Sequence, residues 1–290
     1  MEDKGFIGDK SWRSRATFAA DGASAAGYSP TNLKDNDLSR VWRSADLTPV
    51  NTKFYATLDA QRPISVVGLA NANFSKPNAR VKINIYRDSA RTDLGHTTGW
   101  LAWWDAVYDL NNPSASWDSG NAWDRIATEL DTENRHIEKG FYLDNDPVGI
   151  AIEVEIDDEF NPDGYVQCGI CEIAQGVYLP LNFQYGAQYG TASRTKVVQA
   201  GGGTEYAQAN VPDDRFVGNS GPISREDALG IFYEFTRRTD KHTPFWWSPD
   251  PTDKLNALRH SFLAKNADIS LNTYAHWRRD TVPFNFKRLL

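Results

Sequence analysis

The sequence predicts a mainly β chain: an N-terminal β-sandwich interrupted by an aromatic-rich insertion, then a second β-domain carrying one short helix. Apolar residues alternate at Phe54, Ala56 and Leu58, at Val67 and Leu69, and at Val81, Ile83 and Ile85, the period of strands with one buried face. The alternation returns at Ile150, Ile152, Val154 and Ile156. Beyond Ser224 the spacing lengthens for one stretch to that of an amphipathic helix.

At 290 residues the chain exceeds the roughly 100 to 200 residues of one domain, and a division into 1–176 and 177–290 is expected, with a single elaborated sandwich as the alternative. The balance of 38 acidic against 31 basic residues, a formal net charge of -7, argues against a nucleic-acid binder, whose affinity rests on neutralising phosphates. No apolar run approaches the roughly 20 residues of a membrane span. Met1-Glu2-Asp3-Lys4 lacks the basic and apolar regions of a secretory signal, so synthesis and folding in a cytoplasm are expected. Cys168 and Cys171 form a C-x-x-C without a second pair. A continuous strand there sets the two sulfurs on opposite faces, and buried structural thiols are expected rather than a redox or zinc site.

Residues 1–31 read as a small, polar arm that packs Trp12 on the sandwich. The acidic turn from Asp35 to Trp42 is expected to hold a large aromatic over the open end of the sandwich. This polar loop ending in Trp42, the strand closing on Leu58-Asp59, Ile64-Ser65-Val66-Val67-Gly68-Leu69 and Val81-Lys82-Ile83-Asn84-Ile85-Tyr86 together resemble the discoidin or galactose-binding-like jelly roll. The resemblance implies a binding or docking module.

Residues 88–148 interrupt the strand pattern and are too long for an ordinary loop, which makes them an ordered insertion. They carry Trp100, Trp103, Trp104, Trp117 and Trp123, the candidate glycan contacts, because a pyranose stacks its apolar face on a ring while its hydroxyls bond polar side chains. A satellite core or a subunit contact explains the same tryptophans.

In the returning strand Glu153 and Glu155 share the face opposite the isoleucines. Carboxylates at i and i+2 lie about 7 Å apart, near the separation used by inverting glycosidases, and two glutamates on a solvent face explain them equally. The acidic turn 157–163, from Asp157 to Asp163, departs from the spaced calcium loop and reads as a solvated hairpin turn, with calcium left open. The five histidines, His96, His136, His242, His260 and His276, show no zinc-hydrolase spacing. Neither G-x-S-x-G nor G-x-x-x-x-G-K-[ST] occurs, and Gly201-Gly202-Gly203 precedes polar coil rather than a helix. No enzyme, metal or cofactor is expected.

From Gly164 the text changes. Gly176-Val177-Tyr178-Leu179-Pro180-Leu181-Asn182-Phe183 leads into a Gly-, Gln- and Thr-rich hairpin region at 184–222, and Ser224 then offers an N-cap with Asp227 in capping-box position. Ala228, Leu229, Ile231, Phe232 and Phe235 follow at helical spacing, with Arg237 and Arg238 where a helix C-terminus favours cations. Thr243-Pro244-Phe245-Trp246-Trp247-Ser248-Pro249-Asp250-Pro251 and two further strands close the chain. This order resembles the distal-tail and minor tail proteins of long-tailed bacteriophages, and it implies a tail-tube-like β-domain over 177–290. The resemblance further implies a symmetric ring of copies, hexameric or trimeric, at a tail tip or baseplate of the virion. Its partners would be the tail tube, hub and fibres, with host glycan contact by the leading sandwich. A free carbohydrate-binding lectin is the alternative, and a glycoside-active enzyme using Glu153 and Glu155 the third reading.

Overall fold

The computed structural model describes residues 3–109 and 125–289. Among them, no helix is long and apolar enough to cross a membrane. Contacts divide the chain into a first unit, Met1–Thr132, His136–Tyr178 and Phe245–Leu263, and a second, Glu133–Arg135, Leu179–Pro244 and Ala264–Leu290. The return of Phe245–Leu263 to the first unit is not foreseen by a single division at residue 176.

In the first unit the strands are β1 (Phe6–Ser11), β2 (Thr17–Ala19), β3 (Trp42–Arg43), β4 (Lys53–Pro63), β5 (Val66–Ala70) and β6 (Arg80–Tyr86). They continue with β7 (Leu94–Thr97), β8 (Leu101–Ala102), β9 (Glu138–Tyr142), β10 (Val148–Asp157), β11 (Gln167–Cys168) and β12 (Ile170–Tyr178). One antiparallel sheet runs from Phe245–Ser248 through β1, β12 and β5 to β9; the other runs β2, β4, β10, β6, β7, with β8 also on β6. Side chains from both sheets fill one core, as in a jelly-roll sandwich: Val67, Leu69, Phe141 and Ile173 meet Phe54, Ala56, Ile83, Ile85, Ile152 and Val154. The period of two produces this directly, since each strand turns its apolar set to the same side.

Three expectations are corrected. Trp42 does not cap an open end: it is fully buried, edge-on to Phe54 at 4.9 Å, and its indole N–H donates to Ser24 Oγ at 3.2 Å. Cys168 and Cys171 are both free, and both join the main core. The strand breaks between them, β11 pairing with β3 and β12 with β5, so the two sulfurs do not follow one strand's alternation. Finally, β9 lies inside 88–148, yet it is a sandwich strand whose Val67↔Phe141 and Gly68↔Gly140 pairs extend β5. Its Gly and flanking charges hide the alternation from a sequence reading.

The second unit holds an antiparallel sheet of Gln188–Ala192, Asp213–Asn219, Pro283–Arg288 and residues 264–266. Phe183 packs on Phe216 at 4.7 Å and on Phe284 at 6.2 Å, and Phe232 of the helical run meets Phe284 at 5.7 Å. That run covers 225–239, and Ser224 caps it as its sequence position predicts, accepting from Asp227 N at 3.0 Å. The hairpin Lys196–Gln199 with Glu205–Gln208 is exposed throughout.

Candidate functional site

A cleft of about 530 Å³ opens in the first unit, within the range of small-molecule sites. One wall comes from β7, β8 and the loop after it, His96 to Thr98 and Leu101 to Asp105; a second comes from β9, Ile137 to Asp144; the third comes from Pro251, Lys254, Ala257, Leu258 and Ser261.

The cleft is organised by Lys139. Its ammonium donates to the carbonyls of Ala102 at 2.8 Å and Trp103 at 3.0 Å and to Asp105 Oδ2 at 2.5 Å, which occupies all its donors. Burial holds its pKa below the ordinary lysine value, and the Asp105 carboxylate opposes that shift. The two carbonyls and the carboxylate belong to one short stretch, so a single side chain of β9 fixes the backbone that carries both Trp103 and Trp104.

The adjacent tryptophans then face different surroundings. Trp103 is buried in the sandwich core, edge-on to Phe74 at 4.6 Å and beside Phe141 at 6.1 Å. Trp104 is half-buried, lines the cleft, and donates its indole N–H to the Phe74 carbonyl at 3.2 Å and the Ser75 carbonyl at 2.9 Å. Lys76 Nζ lies 4.8 Å from the Trp104 ring centroid, a further restraint on its orientation. Trp104 is thus a fixed, partly exposed aromatic surface. Trp100 lies outside the cleft, 43 % exposed, with Lys82 Nζ 5.0 Å and the Arg80 guanidinium carbon 5.7 Å from its ring. Trp117 and Trp123 lie outside the described residues.

The floor of the third wall is built on β9. Glu138 is buried and accepts from Leu263 N at 2.5 Å. Tyr142 accepts the Trp246 indole N–H at 2.9 Å, and burial of its hydroxyl pushes its pKa up to about 12. Ser261 Oγ donates to Ser248 Oγ at 2.7 Å. Lys139 and Lys254 carry no motif, and the sequence weighs His96 only for zinc spacing; the fold brings the three onto one cleft.

The remaining sequence candidates do not belong to the cleft. Glu153 is buried and ion-paired with Arg91 at 2.8 Å, and Glu155 pairs with Lys82 at 2.6 Å and accepts from Asn84 Nδ2 at 2.7 Å. Each carboxylate is held by a cation, Glu155 by Lys82 of β6 and Glu153 by Arg91 from the connection between β6 and β7, which accounts for both without acid-base work. In the 157–163 turn, buried Asp158 accepts from Ser75 N at 2.9 Å and Asn161 Nδ2 at 2.8 Å, and Asp163 accepts from Asn73 at 2.9 Å. Among the described residues, no group of three or more His, Cys, Asp or Glu side chains is placed to hold a metal ion.

No family model matches this sequence, and no curated protein matches it. Among solved structures, the chain is similar to the family 32 carbohydrate-binding module of Clostridium perfringens NanJ in complex with galactose. The identity is 11 % over 59 % of this chain and 99 % of that one, with a TM-score of 0.37. It is similar too to CBM32-1 from a family 31 glycoside hydrolase of Clostridium perfringens, at 13 % identity over 55 % and 94 % of the two chains, TM-score 0.33. A third likeness is to a GH29 fucosidase of Ruminococcus gnavus in complex with fucose, at 10 % identity over 58 % of this chain and 27 % of that one, TM-score 0.35.

Proposed function

We propose that this chain binds carbohydrate in the cleft beside Trp104. The observation that carries the reading is a half-exposed indole, fixed through its N–H and flanked by hydrogen-bonding side chains, in a cleft large enough for one or two sugar rings. A sugar needs this combination, because its ring has an apolar face and its rim is all hydroxyls. His96, Thr97 and Lys254 supply polar groups around the indole. The reading assigns no hydrolysis, since the carboxylates Glu153 and Glu155 are ion-paired away from the cleft.

Isothermal titration of the full chain with saccharides selected on a glycan array tests it. Trp104→Ala is expected to weaken binding by about tenfold or more, the loss typical of a truncated aromatic anchor, while Trp100→Ala keeps it. An array without any binder overturns the proposal.

A second reading places the same chain at the tail tip or baseplate of a tailed bacteriophage, its second unit joining copies of itself into a ring and docking other tail proteins. It draws on the sequence resemblance and on one feature of the second unit: Tyr189, Val197, Val198, Tyr206, Leu271 and Trp277 are all more than half exposed. Exposed apolar side chains on and beside strands are unsafe on a monomer and safe once covered by a neighbour. Mass photometry of the purified chain, with mass spectrometry of virions, tests this role. A strict monomer absent from virions overturns it.

A further inference from the structure

We infer that the cleft selects an acidic saccharide, one bearing a carboxylate or sulfate, and that Lys254 and His96 are the groups that distinguish it from a neutral one. The inference rests on the carbohydrate reading and deepens it. The Asp105 carboxylate is neutralised by Lys139, and the Lys139 ammonium has no donor left. Glu138 is buried and taken by the Leu263 backbone N–H, and Asp144 is itself engaged. Tyr142 is bonded to Trp246 and Ser261 to Ser248.

Among the lining side chains that hold no partner within the described residues, Lys254 carries a positive charge and His96 offers a proton donor. Lys254 is exposed on the third wall, and among the described residues its ammonium makes no hydrogen bond or ion pair. The acids next to it in sequence are occupied locally: Asp250 accepts from Thr252 N at 2.8 Å and Thr252 Oγ1 at 2.6 Å, and Asp253 accepts from Asn256 N at 3.1 Å and Asn256 Nδ2 at 2.8 Å. Lys254 lies within electrostatic range of Lys139, whose own charge is matched by Asp105. His96 lines the opposite wall, half-buried, with no side-chain partner among the described residues. A neutral sugar offers these groups only hydroxyls. A carboxylate or sulfate on the ring offers a charge-assisted hydrogen bond, roughly twice as strong as a neutral one.

The test is titration of the full chain with trigalacturonic acid and with galactotriose, its neutral counterpart, in 0.15 M and then ~0.5 M salt, where screening is stronger. The expected result is about tenfold tighter binding of the acid, a ratio that shrinks with salt. Lys254→Gln is expected to bring the ratio close to one, Lys254→Arg to restore most of it, and His96→Gln to lower it part of the way. An unchanged melting temperature certifies that each variant is folded. Galactotriose bound as tightly as the acid, or a preference that survives Lys254→Gln, overturns this inference and leaves the carbohydrate reading standing. No binding of any saccharide overturns both.

Discussion

The indole of Trp246 lies so close over Gly140 that a β-carbon built there would stand 2.5 Å from its Nε1, and one built at the neighbouring Gly68 would stand 2.4 Å from its Cε3. Gly68 and Gly140 are paired across β5 and β9, so the two glycines form a flat seat two strands wide. Gly140→Ala is therefore expected to destabilise the chain by about 1 to 3 kcal/mol, the range for overpacking a filled core. Gly201→Ala, where a β-carbon meets nothing within 4 Å, is the control and should stay within about 0.5 kcal/mol. Urea midpoints of the two variants check this.

The same seat predicts the behaviour of a truncated chain. Trp246 and Trp247 are fully buried, and Phe245–Ser248 extends the sandwich sheet through the pairs Phe6↔Ser248 and Ile7↔Trp247. A fragment ending at Tyr178 keeps most of the first unit's residues but loses this strand and the third wall of the cleft. It exposes the edge of β1 and the apolar seat at Gly68 and Gly140. The expected outcome is a fragment that binds a hydrophobic dye and lacks a sharp unfolding transition, as read by near-UV circular dichroism. Cooperative unfolding at the full-chain midpoint would show the return strand to be dispensable.

The parts of this architecture that were legible from sequence are those whose information is local. Phe54, Ala56 and Leu58 alternate because β4 has one wet face, and Ser224 announces a helix because its hydroxyl serves the N–H of a residue three positions on. The cleft was only half legible. Trp103 and Trp104 stand out by residue type, but neighbouring positions diverge, and nothing local says that Trp103 is buried in the core while Trp104 keeps a half-exposed face on the cleft. Lys139 and Lys254 lie 115 positions apart in the chain and carry no motif. The seat for Trp246 was invisible for a related reason: a glycine in a strand signals a close approach without naming what approaches.

Both thiols should be inert in the folded protein. Cys168 and Cys171 are fully buried, and burial pushes the Cys168 thiol up to about 12 and the Cys171 thiol well above its ordinary value. Only a thiolate reacts, and these sites disfavour it. Incubation with a disulfide reagent at pH 8 is expected to modify neither cysteine in native buffer and both in denaturant. Rapid modification of the native protein would contradict the packing of β11 and β12.

Glu172 gives a stability effect with a definite sign. It is fully buried with Arg13 Nε 3.2 Å from its Oε2. Burial raises its carboxyl pKa above the ordinary value, and the Arg13 charge opposes the shift. A raised value means that the folded chain holds the proton more tightly than the unfolded one. The contribution is therefore favourable below the unfolded carboxyl pKa and is lost as pH rises through the folded value. Glu172→Gln removes this dependence. The stability of the variant minus that of the parent should grow from about pH 4 upward, at no more than about 1.4 kcal/mol per pH unit. Asp21, held below the ordinary range chiefly by its hydrogen bond from Arg91, acts in the opposite direction but is present in both proteins and cancels in the difference. Urea unfolding of both proteins across pH 4 to 8 reads the difference directly, and a flat difference would refute it.

Lys139 should matter to both folding and binding, and its substitutions separate the two roles of its contacts. Lys139→Met keeps the aliphatic bulk but leaves the Ala102 and Trp103 carbonyls and the Asp105 carboxylate without their donor. Unpartnered polar groups at a largely enclosed site cost about 1 to 3 kcal/mol, and the loop that carries Trp104 loses its tether. Asp105→Asn is milder, because Lys139 still holds both carbonyls, so the backbone at Trp103 keeps its position. The expected order of melting temperatures is parent, then Asp105→Asn, then Lys139→Met, and saccharide affinity should fall in the same order. A Lys139→Met protein that is less stable yet binds with parental affinity would show that Trp104 is held by its own N–H contacts to Phe74 and Ser75 alone.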